Sequence, residues 1–338
     1  MKNKIILTID GIRKDRLATY NSKAINISKN LYEISKKSVV FNDMMACATS
    51  TAMCFASLFT GQYQRVFDRK KFGDNNDPFQ DNVFTDHQKK GYFTAVSLNR
   101  RFKACSDLIN TFGNAEFWWT GKETNSANKN VGSIRPLEQA KFIEKKISQI
   151  EKNKPYLLWC HLWGFSKPED RFLEKNPFDY DARVAELDEA VGYVFDKFSN
   201  ESEFYIFADH GYAFFERDKW AYGKDGSNLT ESVCAIPAMV FNGKEVGNNN
   251  NLVSQIEFRN IINNSNIALN LKSKKAYCET RYLNELDKSI AIREKNFKAV
   301  YDFKNKNFSL FDIKSDMHET IDLNGNYYHK VTRDKEGN

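Results

Sequence analysis

KIILTIDG, residues 4–11, is the stretch that decides the fold. It is an apolar run that closes on an aspartate and a glycine, a pattern typical of a buried parallel strand with a carboxylate at its carboxyl end. EFYIFADHG, residues 203–211, repeats the pattern and closes on Asp209 and His210. PYLLWCHLWGF (155–165) has the length and apolar content of another central strand. The sequence therefore predicts several buried parallel strands.

Amphipathic helices are predicted between these strands. LEQAKFIEKKISQI (137–150) and DARVAELDEAVGYVFDKF (181–198) carry apolar residues at helical spacing. This alternation predicts an α/β fold with a mostly parallel central sheet flanked by helices. Residues 290–313 indicate antiparallel strands instead. We therefore expect a catalytic α/β core over residues 1–270 and a small C-terminal antiparallel subdomain over residues 271–338.

The composition limits the function classes. The 338 residues are 41% hydrophobic and 14% aromatic, which is enough for a sizeable core and excludes general disorder. The net charge of +6 comes from 50 basic and 44 acidic residues, so it favours anionic substrates and falls short of a nucleic-acid-binding surface. No apolar stretch is long enough to span a membrane and no signal peptide is indicated, which predicts a cytoplasmic protein. The Asn-rich segment 243–254 is predicted to be a solvated loop.

CATSTAMCFASLFTG, residues 47–61, is rich in hydroxyl groups and stops at a glycine. Ser and Thr at this density are typical of loops and helix starts, and a helix is predicted to begin at or near Thr51. Backbone N–H groups at such a helix start can hold an anionic substrate. Thr51 is therefore a candidate nucleophile, with an ordinary N-cap hydroxyl as the alternative.

Metal-ligand side chains follow two of the predicted strands. Asp10 ends one strand, and Asp209 with His210 ends another. Since ligands bind beyond the carboxyl ends of parallel strands, these groups are expected to meet there. Carboxylates with one imidazole suit a divalent cation, and a hydroxyl bound to that cation loses its proton more readily. Helix capping is the alternative role for each aspartate.

Five segments resemble sulfatases of the alkaline phosphatase superfamily and occur in the order of that family. They are LTIDGIRKDRL, ASLFTG, YDARVAELDEAVGYVFDKF, FADHG and LFDIKSDMHETIDL, and the resemblance extends from residue 4 to about residue 323. Sulfatases place a Cys or Ser at the position of Thr51 and oxidise it to formylglycine. Here Cys47 and Cys54 are out of register with that position, so this resemblance implies that the formylglycine route is closed.

CATSTA is similar to the C-G-T-x-T-A stretch of bacterial phosphoethanolamine transferases, in which the second Thr becomes phosphorylated. That Thr falls on Thr51. The resemblance implies a metal site made by Asp10, Thr51, Asp209 and His210, with one divalent ion (Zn, Mn or Ca). The second-metal histidines of those transferases would fall near Ser166 and Tyr222, which implies a mononuclear site.

The same resemblance suggests contacts for the substrate anion. Lys224, Asn99 and Arg101 would neutralise it. His161 could serve as a catalytic acid, although its apolar neighbours also fit a packed core histidine.

The sequence thus predicts a metal-dependent hydrolase or transferase that acts on a phosphate ester or phosphodiester through a phosphothreonine. The alternatives are a sulfuric ester hydrolase and a catalytically degenerate binding protein. The expected partner is a small-molecule or glycan phosphate or sulfate ester, for example a soluble intermediate of polysaccharide biosynthesis. Nucleic acid is not an expected partner, and the oligomeric state is not predicted.

Overall fold

The computed structural model describes residues 1–63, 81–100, 102, 112–121, 134–163, 177–213, 229–280, 289–303 and 305–324. The strands within these ranges are β1 (Asn3–Ile9), β2 (Val39–Met45), β3 (Phe93–Asn99), β4 (Glu116–Thr120), β5 (Tyr156–Leu162), β6 (Ser202–Ala208), β7 (Ala235–Phe241), β8 (Gly247–Ser254), β9 (Ala276–Thr280), β10 (Ser289–Glu294), β11 (Phe297–Asp302) and β12 (Asn307–Asp312). The α-helices are α1 (Lys29–Ser35), α2 (Thr51–Thr60), α3 (Val83–Gln88), α4 (Pro136–Ile147), α5 (Pro177–Phe198), α6 (Glu231–Cys234) and α7 (Phe258–Asn263).

The first eight strands form one sheet in the order β4-β3-β5-β1-β6-β7-β2-β8. Strand β7 is antiparallel to both of its neighbours, and the other neighbouring pairs are parallel. The last four strands form an antiparallel sheet in the order β12-β11-β10-β9. The predicted α/β fold, with its mostly parallel sheet and its small C-terminal antiparallel sheet, is confirmed. The domain division at residue 270 stays a prediction.

Helices cover both faces of the central sheet because alternate residues of each buried strand point to opposite sides. On one face, Phe207 of β6 stacks on Phe258 of α7 with ring centroids 4.0 Å apart. On the other face, Phe204 of β6 packs against Phe195 of α5 at 5.0 Å. Helix α2 lies on the face of Phe207, since its Phe55 contacts β5 on that side.

The prediction of a loop over residues 243–254 holds for residues 243–246 and was wrong for residues 247–254. Residues Gly247–Ser254 form the edge strand β8, which pairs in parallel with β2. Asn249 is buried, and its side-chain amide donates to the carbonyls of Ala268 and Leu271. Asparagine disfavours strands on average, so its propensity concealed a strand that is held by side-chain hydrogen bonds and edge pairing.

The carboxyl ends of β1, β5 and β6 lie at one edge of the sheet, and α2 begins at Thr51 as predicted. Among the residues that the structure describes, no helix has the length and apolar character needed to cross a lipid bilayer.

Candidate metal centre and nucleophile

Three predicted metal ligands converge where β1 and β6 end. The two strands are parallel neighbours with Ile9 opposite Ala208, so the next residues, Asp10 and Asp209, emerge side by side. One ligand atom each from Asp10, Asp209 and His210 lies within 4.8 Å of the others. All three residues are buried, and Asp10 is the most accessible with 8% of its surface exposed.

Backbone hydrogen bonds fix the orientation of the Asp209 carboxylate. Its Oδ1 accepts from the N–H groups of Gly11 at 3.0 Å and His210 at 2.9 Å. Gly11 has φ of 58°, a left-handed conformation that favours glycine, and this turn directs its N–H toward Asp209. Oδ2 is buried with no hydrogen-bond donor among the described residues. A buried, unbonded carboxylate oxygen next to a second carboxylate fits a cation ligand.

The imidazole of His210 presents Nε2 to this cluster. Its Nδ1 lies 2.9 Å from the carbonyl oxygen of Gly211, and a carbonyl only accepts, so Nδ1 carries the hydrogen. In the neutral ring, Nε2 is then the nitrogen that can bind a cation, and it lies 3.4 Å from Asp209 Oδ2. At Gly211 a Cβ atom would lie 2.0 Å from the carbonyl oxygen of Ser232, so this turn admits only glycine without a backbone shift.

Burial and the negative charge of Asp209 raise the pKa of Asp10 well above its ordinary value, and the Thr51 hydroxyl partly offsets the rise. Two carboxylates confined together in a buried site repel each other unless a proton or a cation lies between them. The residues present therefore fit a divalent cation held by Asp10, Asp209 and His210.

The affinity of this site for Mn²⁺ is expected to fall as the pH is lowered. A proton and the cation compete for Asp10, so the affinity should drop by up to about tenfold per pH unit below the pKa of Asp10. Because that pKa is raised, protonation stabilises the cation-free protein at low pH, and this contribution is lost as the pH rises through the raised pKa. Calorimetric titration with Mn²⁺ across a pH series measures the effect. Asp10→Asn is the control, which should bind weakly with a flatter pH dependence; a pH-independent affinity in the unmodified protein contradicts the prediction.

Thr51 is the first residue of α2 and borders the same cluster. Its Oγ1 lies 3.5 Å from Asp10 Oδ1 and 3.4 Å from His210 Nε2. The preceding Ser50 is the N-cap, and its side chain makes no capping hydrogen bond. The hydroxyl of Thr51 thus faces the candidate ligands and does not cap the helix. The structure brings together all four residues that were predicted as metal ligands.

The two thiols of this loop belong to a separate buried group. Cys47 and Cys54 are fully buried in a small apolar group with Ala48 and Met53. Burial and the neighbouring Cys47 raise the pKa of Cys54 well above its usual value, which makes it unreactive. Neither sulfur is among the converging ligand atoms.

His161 occupies the penultimate position of β5, opposite Thr8 of β1. Its ring is fully buried, 4.8 Å from the ring of Phe55, and its Nδ1 lies 2.9 Å from the hydroxyl oxygen of Thr8. Burial lowers its pKa to about 4. The ring is therefore uncharged near neutral pH, which favours a packed histidine over a general acid. The catalytic role of His161 stays a prediction.

The predicted anion contacts are only partly within the described residues. Asn99 is buried at the end of β3, on the same edge of the sheet and two strands away from β1. Arg101 and Lys224 lie outside the described residues, as do Ser166 and Tyr222. Their roles stay predictions.

A cavity of about 410 Å³ has none of the three ligands in its lining. Arg293 lines this cavity and pairs with two carboxylates that also line it, Glu231 and Asp43. Since these charged side chains are already engaged in ion pairs, the cavity is a poor candidate for the site of chemistry. The converging ligands and Thr51 define the functional centre instead.

The sulfatase family profile matches residues 2–260 of the chain. That match covers more than half of the sequence, so the chain belongs to the sulfatase family and is an ester hydrolase by class. Members of this family bind a divalent metal, in agreement with the Asp-Asp-His cluster. A comparison with curated proteins found no match.

Solved structures share the fold at low sequence identity. A phosphonate monoester hydrolase of Agrobacterium radiobacter superposes with a TM-score of 0.70 at 13% identity, covering 100% of this chain and 94% of that one. A 2-O GAG sulfatase gives 0.71 at 10% identity, with coverage of 99% and 90%. A protein solved with its substrate D-glucosamine-2-N,6-O-disulfate gives 0.70 at 12% identity, with coverage of 99% and 95%. At these identities the likeness extends to the fold alone.

Proposed function

We propose that this protein hydrolyses phosphorus esters, phosphate diesters or monoesters and phosphonate monoesters among them, with Thr51 as the nucleophile. The observation that carries the proposal is the Thr51 hydroxyl at the start of α2, 3.4–3.5 Å from His210 Nε2 and Asp10 Oδ1. One of the solved structures that share this fold is a phosphonate monoester hydrolase, which supports a phosphorus-centred reaction on this scaffold.

The chemistry of threonine supports phosphorus over sulfur. Formylglycine is an aldehyde made from a side chain whose Cβ carries two hydrogens. The Cβ of Thr51 carries a methyl group, so its oxidation would give a ketone. The two cysteines of the loop, Cys47 and Cys54, are buried in a separate apolar group, and neither sulfur is among the converging ligand atoms. A simple hydroxyl nucleophile is therefore the chemistry that this loop provides.

In the first half-reaction, Thr51 Oγ1 forms a bond to phosphorus while the bond from phosphorus to the leaving oxygen breaks. The hydroxyl proton passes to Asp10 Oδ1, and the leaving alkoxide takes a proton from water. In the second half-reaction, the hydroxide left by that water attacks phosphorus, the bond from phosphorus to Oγ1 breaks, and Oγ1 takes back the proton held by Asp10. A bound divalent cation supplies a lowered hydroxyl pKa and charge neutralisation of the phosphoryl oxygens. Backbone N–H groups at the start of α2 add to that neutralisation.

The proposal is tested with a panel of nitrophenyl esters: the phosphate monoester, the phosphate diester, a phosphonate monoester and the sulfate. Each is assayed with Mn²⁺, Zn²⁺ or Ca²⁺, and the reaction is quenched with acid for peptide mass spectrometry. We expect turnover of at least one phosphorus ester and a phosphorylated peptide that maps to Thr51. Turnover of the sulfate alone would replace this function with sulfuric ester hydrolysis. Bound metal without turnover of any ester would favour a binding protein.

A further inference from the structure

Gln255 is a fully buried amide that bonds to both halves of the candidate centre. It begins a short 3₁₀ helix, Gln255–Glu257, directly after β8. Its Oε1 accepts from the backbone N–H of Cys47 at 3.0 Å and from the Cys47 thiol at 3.0 Å. Its Nε2 donates to the carbonyl oxygens of Ala208 at 3.1 Å and Asp209 at 2.9 Å. Two donated and two accepted bonds use the full capacity of the amide.

The sheet has a gap at this point, which explains why a side chain bonds there. The ladder between β6 and β7 stops at Phe207 opposite Ala238. One step further the register would set Ala208 opposite Pro237, and a proline has no N–H to donate. The carbonyls of Ala208 and Asp209 are thus left beyond the ladder, and the Gln255 amide satisfies them.

The Gln255 side chain bonds to the segment that carries the candidate nucleophile and to the turn that carries a metal ligand. Cys47 opens the segment that leads to Thr51, and Asp209 carries the buried carboxylate of the metal cluster. Strands β2 and β6, which deliver these segments, are not neighbours, because β7 lies between them. We propose that Gln255 is a positioning residue that sets the Thr51 segment against the metal-binding turn. The inference rests on the proposed function for its rate measurement.

Only a neutral amide meets all four partners. A glutamate would turn a carboxylate toward two carbonyl oxygens beside Asp209. A methionine of similar size would take the Gln255 bonds from three buried backbone groups, the N–H of Cys47 and the carbonyls of Ala208 and Asp209. Either change should let the two segments move apart. An error of a fraction of an ångström between nucleophile and metal lowers the rate far more than it lowers substrate binding.

The test compares Gln255→Met with Asn249→Leu. Asn249 is a matched control because it is also a buried amide, here within β8, that donates to two carbonyls and accepts from one N–H. Its partners are Ala268, Leu271 and Asn251, and none of them belongs to the centre. For each variant we measure Mn²⁺ affinity by calorimetry, kcat and KM on whichever ester the unmodified protein hydrolyses, and Tm.

We expect Gln255→Met to lower Mn²⁺ affinity and kcat by about 10- to 100-fold each, with KM changed by less than about threefold. Both variants should lower Tm by similar amounts. Asn249→Leu should keep its Mn²⁺ affinity and its kcat within about twofold of the unmodified protein. The inference is overturned if Gln255→Met keeps its Mn²⁺ affinity and kcat. It is also overturned if Asn249→Leu loses as much Mn²⁺ affinity and kcat as Gln255→Met. If Gln255→Met does not fold, Gln255→Glu gives the same readings, since it keeps the volume and the acceptor for Cys47.

Failure of the proposed function is distinguishable from failure of this inference. If the unmodified protein turns over no ester, the proposed function fails, and the Mn²⁺ affinities of the two variants still decide the role of Gln255.

Discussion

Thr51→Ala is expected to lower kcat on the phosphorus ester by at least about 10³-fold, while Mn²⁺ remains bound. The reason is that Oγ1 is the hydroxyl that borders Asp10 and His210, and alanine removes it without touching either ligand. Thr51→Ser keeps the hydroxyl and should retain activity within about tenfold. Steady-state kinetics and calorimetric Mn²⁺ titration of the same preparations measure both effects.

Ser50→Ala is the matched control. It deletes a hydroxyl from the adjacent residue, which caps α2 through its backbone position without a side-chain hydrogen bond. Its rate should stay within about twofold of the unmodified protein. Equal losses in Thr51→Ala and Ser50→Ala would indicate a disturbed helix start. Full activity in Thr51→Ala would remove Thr51 from the mechanism.

The candidate metal centre could be predicted from the sequence because its residues are tied to strand ends. Asp10 and the Asp209-His210 pair each follow an apolar run, and parallel strands bring their carboxyl ends to one edge. The pattern could not show which strands are adjacent in the sheet. Neither run shows that β1 and β6 are direct neighbours, which is what places the two carboxylates side by side.

Gln255 escaped prediction for a different reason. Its importance depends on the missing backbone hydrogen bond at Pro237 and on the position of β8. The four consecutive asparagines of β8 are more typical of a loop than of a strand. Both are properties of the assembled sheet. The Asn-rich run with a nearby proline is the only signal in the sequence, and without the sheet order it gives no partner. Arg101 and Lys224, in contrast, were predicted by resemblance, and nothing in the described residues tests them.

Lys298→Met is expected to lower the free energy of unfolding by about 3–5 kcal/mol, the cost of removing one partner from a buried ion pair. Lys298 of β11 is fully buried, with Nζ 2.8 Å from Glu319 Oε1 and 3.3 Å from Glu231 Oε2. Burial alone would lower its pKa, but the neighbouring carboxylates and the Cys234 sulfur outweigh it and raise the pKa above its usual value. The lysine therefore stays charged in the folded protein.

Its partners join the two sheets. Glu231 lies in α6, directly before β7 of the central sheet, and also pairs with Arg293 of β10. Glu319 follows β12 and accepts from the backbone N–H of Glu231 at 3.1 Å. Removing the ammonium leaves two carboxylates close together inside the protein, at the contact between the C-terminal sheet and the catalytic core. The loss should therefore also loosen the Ser232 turn against which Gly211 packs.

Urea denaturation at a constant m value measures the change in stability. Lys36→Met is the matched control, since Lys36 pairs with Glu33 at the same 2.8 Å but both side chains are half exposed, and we expect no measurable change. The double variant Lys298→Met/Glu319→Gln separates charge from packing: it removes one of the stranded carboxylates, keeps an acceptor for Glu231, and should recover part of the lost stability. A double variant no more stable than Lys298→Met would assign the loss to packing of the lysine stem instead of the unbalanced charge.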